Sequence, residues 1–216
     1  LKYCKHAKKY GADIFASICR EKYFSDDQIF CHYNELNKVG IAILVHQMPF
    51  LSGYDAKNMD WPLSIFTKLS KLKRVIAIKE DSRNIHFSKK FIDKFEPRFR
   101  IIVAARKEII FKLFKYGLKS YLNGTSLIDP RIAIKFWFFL NNDKLKAKKI
   151  YKDLDNYFWK YIAKKFGWHR VNKYTLEFFG LMSYYERLPM NALTYKEKRF
   201  LQKKLQIFGE KVKKLL

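Results

Sequence analysis

Apolar positions along this chain change their period once. Over roughly the first two-thirds, short β-branched runs alternate with stretches whose apolar residues recur every three or four positions, the pattern of successive βα units around a parallel sheet. The runs predict strands at 12–18, 41–47, 74–80, 99–105 and 119–123. Between them, a short helix ends at Gly11, and Asp26 or Asp27 caps a helix carrying Ile29, His32, Tyr33 and Leu36 to Gly40. Asp60 is the expected cap of the next helix, at 60–72 with Pro62 in its first turn, and two more occupy 84–95 and 107–116, the last stopped by Gly117. Beyond Asp129–Pro130 only helical spacing is left, at 131–140, 143–166, 172–184 and 194–208.

Five βα units cannot close an eight-stranded barrel. The expected architecture is therefore α/β, the later part of a (β/α)8 TIM barrel over residues 1–140 followed by a C-terminal helical region at 141–216. An open doubly wound sheet is the alternative. To read as a nucleotide site it needs a Gly-rich phosphate loop, and neither a G-x-G-x-x-G nor a Walker pattern occurs.

One lysine ends an otherwise apolar run, Val75-Ile76-Ala77-Ile78-Lys79-Glu80. A strand buried on both faces belongs to a parallel sheet packed between helices, and the carboxyl ends of such strands carry the chemistry. Removal from water disfavours the ammonium form, so Lys79 is a candidate nucleophile toward a carbonyl carbon. The competing reading is a strand-ending lysine that reaches back to solvent. Glu80 and Asp81 either orient the loop after Lys79 or are solvated.

Charge changes this picture little. The net charge of +25, from 45 Lys+Arg against 20 Asp+Glu, raises nucleic acid or an anionic membrane as partners. The lysines are scattered singly or in pairs such as Lys89–Lys90 and Lys203–Lys204, and they outnumber the arginines that favour base readout. Neither specific nucleic acid nor membrane is expected, and a basic nucleic-acid-binding protein is a minor alternative. Cys4, Cys19 and Cys31 form an odd set without ligand spacing, which fits a reducing cytoplasm better than a disulfide framework. His6, His32, His86 and His169 also lack ligand spacing, so no metal is expected. No apolar run approaches the roughly 20 residues that span a bilayer. Leu1 begins neither as an initiator methionine nor as a signal peptide, and the chain reads as lacking its amino-terminal part.

The run Val75 to Glu80, the loop around Pro49 and Gly53, and Arg187-Leu188-Pro189 together resemble the dihydrodipicolinate synthase and N-acetylneuraminate lyase family. Gly11-Ala12-Asp13, Ser25 through Tyr33, Gly117 through Asn123, and Val171 through Leu193 extend the likeness over almost the whole chain. The resemblance implies a (β/α)8 barrel with a C-terminal helical domain, usually a homo-oligomer. It also implies cleavage or condensation of 2-keto acids such as pyruvate through a lysine Schiff base, with no cofactor. Lys79 matches that lysine. His46-Gln47-Met48-Pro49 stands where the family has a Tyr-Asn-x-Pro turn, so His46 takes the place of a proton-relaying tyrosine. An imidazole titrates near neutrality and suits that role, the plainer alternative being a hydrogen-bonded core histidine. Alternation places Ala42, Leu44 and His46 on one face, and Val75, Ala77 and Lys79 on a face of the neighbouring strand.

Other positions depart from the family. Leu51 stands where the synthases carry a carboxylate-binding arginine, and a leucine cannot make that bond, which argues against true dihydrodipicolinate synthase activity. Cys19 through Tyr23 replaces a Pro-Pro-Tyr-Tyr loop, leaving Tyr23 as a candidate facing the pocket. Arg106 is a candidate for an anionic substrate tail, in a run that also reads as an ordinary charged helix start with Lys107 and Glu108. Asn123 and Thr125 are candidates at the pocket border or plain turn residues, and Gln47 completes the substrate-binding set. Phe136 through Phe139 reads as helix packing or an oligomer face. Two functions follow: a class I aldolase or lyase of this family using Lys79 and His46, or a catalytically inactive descendant kept as a binding or assembly scaffold. The family's Gly-Thr-Thr-type carboxylate cradle has no counterpart, so this chain by itself could be inactive.

Overall fold

A computed structural model describes residues 1–19, 25–48, 60–82 and 84–215. Five parallel strands lie side by side in chain order: β1 (Ile14–Ile18), β2 (Ala42–Gln47), β3 (Val75–Glu80), β4 (Arg100–Ala104) and β5 (Ser120–Leu122). Each sequence-predicted strand is present, shortened by a residue or two at its ends. Helices α1 (Lys2–Lys9), α2 (Asp26–Lys38), α3 (Leu63–Leu69), α4 (Ile85–Phe95) and α5 (Lys107–Phe114) separate or flank them. This sequential parallel order is that of consecutive βα units of a barrel.

The two faces of the sheet differ. Ile43, Val45, Val75, Ile78, Ile101 and Val103 are buried on one face. Helices α2, α3 and α4 bury Tyr33, Phe66 and Phe91, and an aromatic chain runs from Trp61 through Phe66, Phe91 and Phe95 to Phe99 with centroids 4.5 to 6.1 Å apart. The other face carries Leu44, His46, Lys79 and Ile102, all half-buried. Strict alternation fails in β3. Ile43 pairs with Val75 but Leu44 pairs with Ala77, so the register slips one residue at Ile76, which is exposed. Val75 therefore lies on the buried face and only Ala77 shares a face with Lys79, a correction to uniform alternation along this strand. The Arg98 guanidinium holds the entrance to β3 by donating to the carbonyls of Ser70, Leu72 and Val75 at 2.9 to 3.0 Å.

Local capping also differs from expectation in two places. Ser25, not Asp26 or Asp27, caps α2 in a capping box with Gln28, because its hydroxyl reaches the third backbone N–H of the helix. Helix α3 starts after Pro62, and Asp60 instead accepts hydrogen bonds from Ser82 and Gln47. Asn84, where the helix at 84–95 is expected to start, caps α4.

The chain divides into two compact units, Leu1–Ala105 with Lys112–Leu122, and Arg106–Phe111 with Asn123–Leu216. The second unit holds a 3-10 turn (Gly124–Leu127), α6 (Pro130–Asn142) and α7 (Lys144–Ile150), which continues through π-helical segments Tyr151–Asp155 and Phe158–Ala163 into α8 (Lys164–Phe166). Helices α9 (Trp168–Phe178) and α10 (Tyr195–Leu215) follow. Helix α9 starts four residues before its expected place at 172 and stops short of 184, since Gly180 adopts φ +72° beyond its end. Gly124 is needed for space, because a Cβ there would lie 2.1 Å from the Trp168 ring. Among the described residues, no helix is long and apolar enough to cross a membrane, and all three cysteines are free thiols.

Candidate active site

Parallel pairing sets His46 beside Lys79 at the carboxyl ends of β2 and β3. Paired residues project to the same face, so the two side chains meet, with Lys79 Nζ 2.6 Å from His46 Nε2. Asp81, just past the strand, completes a triangle. Its Oδ2 lies 2.8 Å from His46 Nε2 and also accepts a hydrogen bond from Lys79. The side chains keep 16%, 20% and 11% of their exposure for Lys79, His46 and Asp81, which leaves them shielded yet reachable.

A single ring nitrogen faces both partners, and this limits the proton arrangements. Nε2 either accepts from the Lys79 ammonium or carries a hydrogen and donates to Asp81. Moving one proton from Lys79 to His46 converts the first state into the second and leaves a neutral amine. Burial alone would push the Asp81 carboxyl up, and the hydrogen bonds and charges of His46 and Lys79 outweigh it, holding the group below its ordinary 3.8. Asp81 is thus the anion of the triangle in either state.

Behind this triangle, on the buried face, Gln47 pairs with Glu80. Both are fully buried. Glu80 accepts from the Ser82 N–H at 2.6 Å and from the Ser88 hydroxyl at 3.0 Å. Burial, reinforced by the charges of Asp60 and Asp81 and opposed by those two hydrogen bonds, pushes its carboxyl from 4.5 to about 8. The Ser82 hydroxyl donates to Asp60 at 2.8 Å and accepts from the Asn84 N–H at 3.0 Å, so the turn that follows Lys79 is tied down on both sides of Asp81. Glu80 orients this loop rather than meeting solvent, the first of the two alternatives its sequence position left open. Gln47 points away from Lys79 and donates to Asp60, at 3.4 Å, which places it in the support of the site and not beside the lysine.

A second lysine is wholly buried in the other unit. Lys107 Nζ donates to Asn123 Oδ1 at 2.6 Å and Thr125 Oγ1 at 2.8 Å and pairs with Asp155 Oδ1 at 3.5 Å, while its backbone N–H reaches Asp155 Oδ2 at 3.0 Å. Asp155 ends a π-helical segment and is itself buried. Burial pulls the Lys107 pKa down against the upward pull of Asp155. Of the remaining sequence candidates, Asn123 and Thr125 bind this lysine, Arg106 is exposed before α5, and Tyr23 lies outside the described residues, as do Pro49, Leu51 and Gly53. The structure brings Lys79 and His46 together as expected. Asp81 as their shared partner and the burial of Lys107 were missed. For Asp81 the signal was present, an acid two residues beyond Lys79. For Lys107 the decisive partner is 48 residues away in sequence, and no local pattern announces it.

Known proteins share this fold. A family model described as the dihydrodipicolinate synthetase family matches residues 1–208. No curated protein matches the chain by sequence. Among solved structures, the sialic acid aldolase of Ruminococcus gnavus is similar with a TM-score of 0.85 at 20% identity, covering 100% of this chain and 71% of that one. A structure of the same aldolase is described as its catalytic lysine mutant, also at TM-score 0.85 and 20% identity, covering 100% and 70%. The N-acetylneuraminate lyase of Fusobacterium nucleatum complexed with pyruvate has a TM-score of 0.80 at 18% identity, covering 96% and 68%.

Proposed function

Since the chain belongs to the dihydrodipicolinate synthetase family, we propose that it is an aldolase or lyase that binds pyruvate, or the pyruvate-like end of a longer 2-keto acid, as a Schiff base on Lys79. The observation that carries this reading is the 2.6 Å contact between Lys79 Nζ and His46 Nε2 at the ends of adjacent parallel strands. The similar proteins support it, since one is described by its catalytic lysine and another as a complex with pyruvate.

Chemistry at the triangle proceeds as follows. His46 takes a proton from the Lys79 ammonium, and the free amine attacks the keto carbon, whose π pair moves to oxygen. Overall two protons pass from nitrogen to that oxygen, which leaves as water, and the nitrogen ends as a cationic iminium. The iminium then draws in the electron pair of the breaking carbon–carbon bond to give an enamine, while His46 accepts the proton of the departing hydroxyl. Condensation is the reverse. Leu51 in place of the synthases' arginine argues that the second substrate is not that of true dihydrodipicolinate synthase. Ile134 and Phe138, exposed one turn apart on α6, support a homo-oligomer, and the free thiols fit the cytoplasm.

Borohydride reduction of the full-length protein with pyruvate and related keto acids, followed by peptide mass mapping, tests the reading. It expects one adduct, on Lys79. An unmodified Lys79 with every keto acid tried would leave the scaffold reading in its place.

A further inference from the structure

The triangle contains a carboxylate that a lysine–histidine relay does not by itself require. Asp81 is held from both sides, through the buried Glu80 and through Ser82, which Glu80, Asp60 and Asn84 engage together. Its Oδ2 touches both the lysine nitrogen and the imidazole. The other acids of its surroundings, Glu80 and Asp60, bond to Ser82 instead.

On the Schiff-base reading, we propose that Asp81 is a catalytic residue, the counterion of the positive charge that the Lys79 nitrogen carries as the resting ammonium and again as the iminium, and that His46 carries while the amine is free. The step conserves charge at that nitrogen: an ammonium and a carbonyl become an iminium and water, with one positive charge before and after. A carboxylate fixed beside Nζ stabilises both ends without moving, which is the condition under which preorganised charge is most effective. Only a protonated imine draws electrons strongly enough to form an enamine, so an imine that loses its proton at working pH stalls after binding. Asp81 also holds the imidazolium that forms when His46 takes the proton, so the two proton carriers share one anion.

The test follows the half-reaction that needs no second substrate. Full-length protein is incubated with pyruvate in deuterated buffer, and exchange of the C3 protons, which requires the enamine, is read by NMR. In parallel, cyanoborohydride trapping, which reduces protonated imines, is followed against pH. Asp81→Asn is expected to slow C3 exchange roughly a hundredfold, comparable to losing one preorganised stabilising group. It is also expected to move the alkaline limb of trapping to lower pH, with Asp81→Glu restoring the limb. A merely structural role would lower the amount of folded protein and leave the limb of the remainder in place. Unchanged exchange and an unmoved limb in Asp81→Asn overturn the assignment while the Schiff base stands. An absence of any adduct in the wild-type protein removes the Schiff base and this role with it. Should the Asn variant not fold, the wild-type limb decides: trapping that declines already below neutrality shows that no anion holds the charge.

Discussion

Two lysines, one near the end of β3 and one just after β4 in the chain, each pair with an aspartate, and their surroundings give them opposite properties. Lys107 is fully buried, and an ammonium has three donors, which Asn123, Thr125 and Asp155 occupy with three oxygens. Its one basic partner is the Asp155 carboxylate at 3.5 Å, and no imidazole stands among these partners. Lys79 is partly reachable and meets one acceptor, Asp81, and one group that can take its proton, His46. The comparison teaches that burial and an acid partner do not mark a nucleophile. What sets Lys79 apart is the imidazole 2.6 Å from its nitrogen.

Exchanging each lysine for methionine is the strongest way to break the comparison. Lys79→Met is expected to abolish the borohydride adduct and turnover while changing unfolding free energy by about 1 kcal/mol or less, since His46 and Asp81 can still pair. Lys107→Met strands a buried carboxylate and is expected to cost about 3–5 kcal/mol in denaturant unfolding. Equal stability losses in the two variants would erase the distinction.

His46→Phe sharpens the site's half of the comparison. Removing the proton acceptor is expected to lower turnover by about 10²–10⁴-fold with the Lys79 adduct still formed slowly. Undiminished turnover would return His46 to a packing role.

Glu80 supplies a pH test of the support behind Lys79. Its carboxyl keeps a proton up to about pH 8 in the folded protein but ionises near 4.5 when unfolded. Between those values the unfolded state binds fewer protons than the native one, so stability falls as pH rises, by an amount on the order of a few kcal/mol, and levels off above. Glu80→Gln is expected to flatten that slope in thermal melts recorded across the window. A wild-type curve already flat there would show that Glu80 is not held neutral. Thr125→Val removes one of three acceptors from Lys107 and is expected to cost about 1–3 kcal/mol in denaturant unfolding, less than Lys107→Met. A loss too small to measure would mean that Asn123 and Asp155 alone satisfy this lysine.

Much of the fold was legible because its signals are local. The β-branched runs gave five strands, Gly117 ended α5's segment and Asn84 started α4, since each depends on a few neighbouring residues and the period of the chain. The pairing of Lys79 with His46 was also accessible, as both end runs expected to be adjacent parallel strands. Two features were not. The register slip at Ile76 moves Val75 to the opposite face, and nothing in Val75-Ile76-Ala77 marks it. Asp60 reads as a helix cap until Ser82 and Gln47 are brought to it.

By itself, then, the sequence determined the order of strands and helices and the lysine at the end of β3, because hydrophobic period and strand ends are written residue by residue. Tertiary structure decided which groups surround each of the two lysines. Whether a charged side chain meets a base, an acid or three fixed oxygens depends on groups that the fold draws together from distant positions, and for Lys107 that distance is 48 residues.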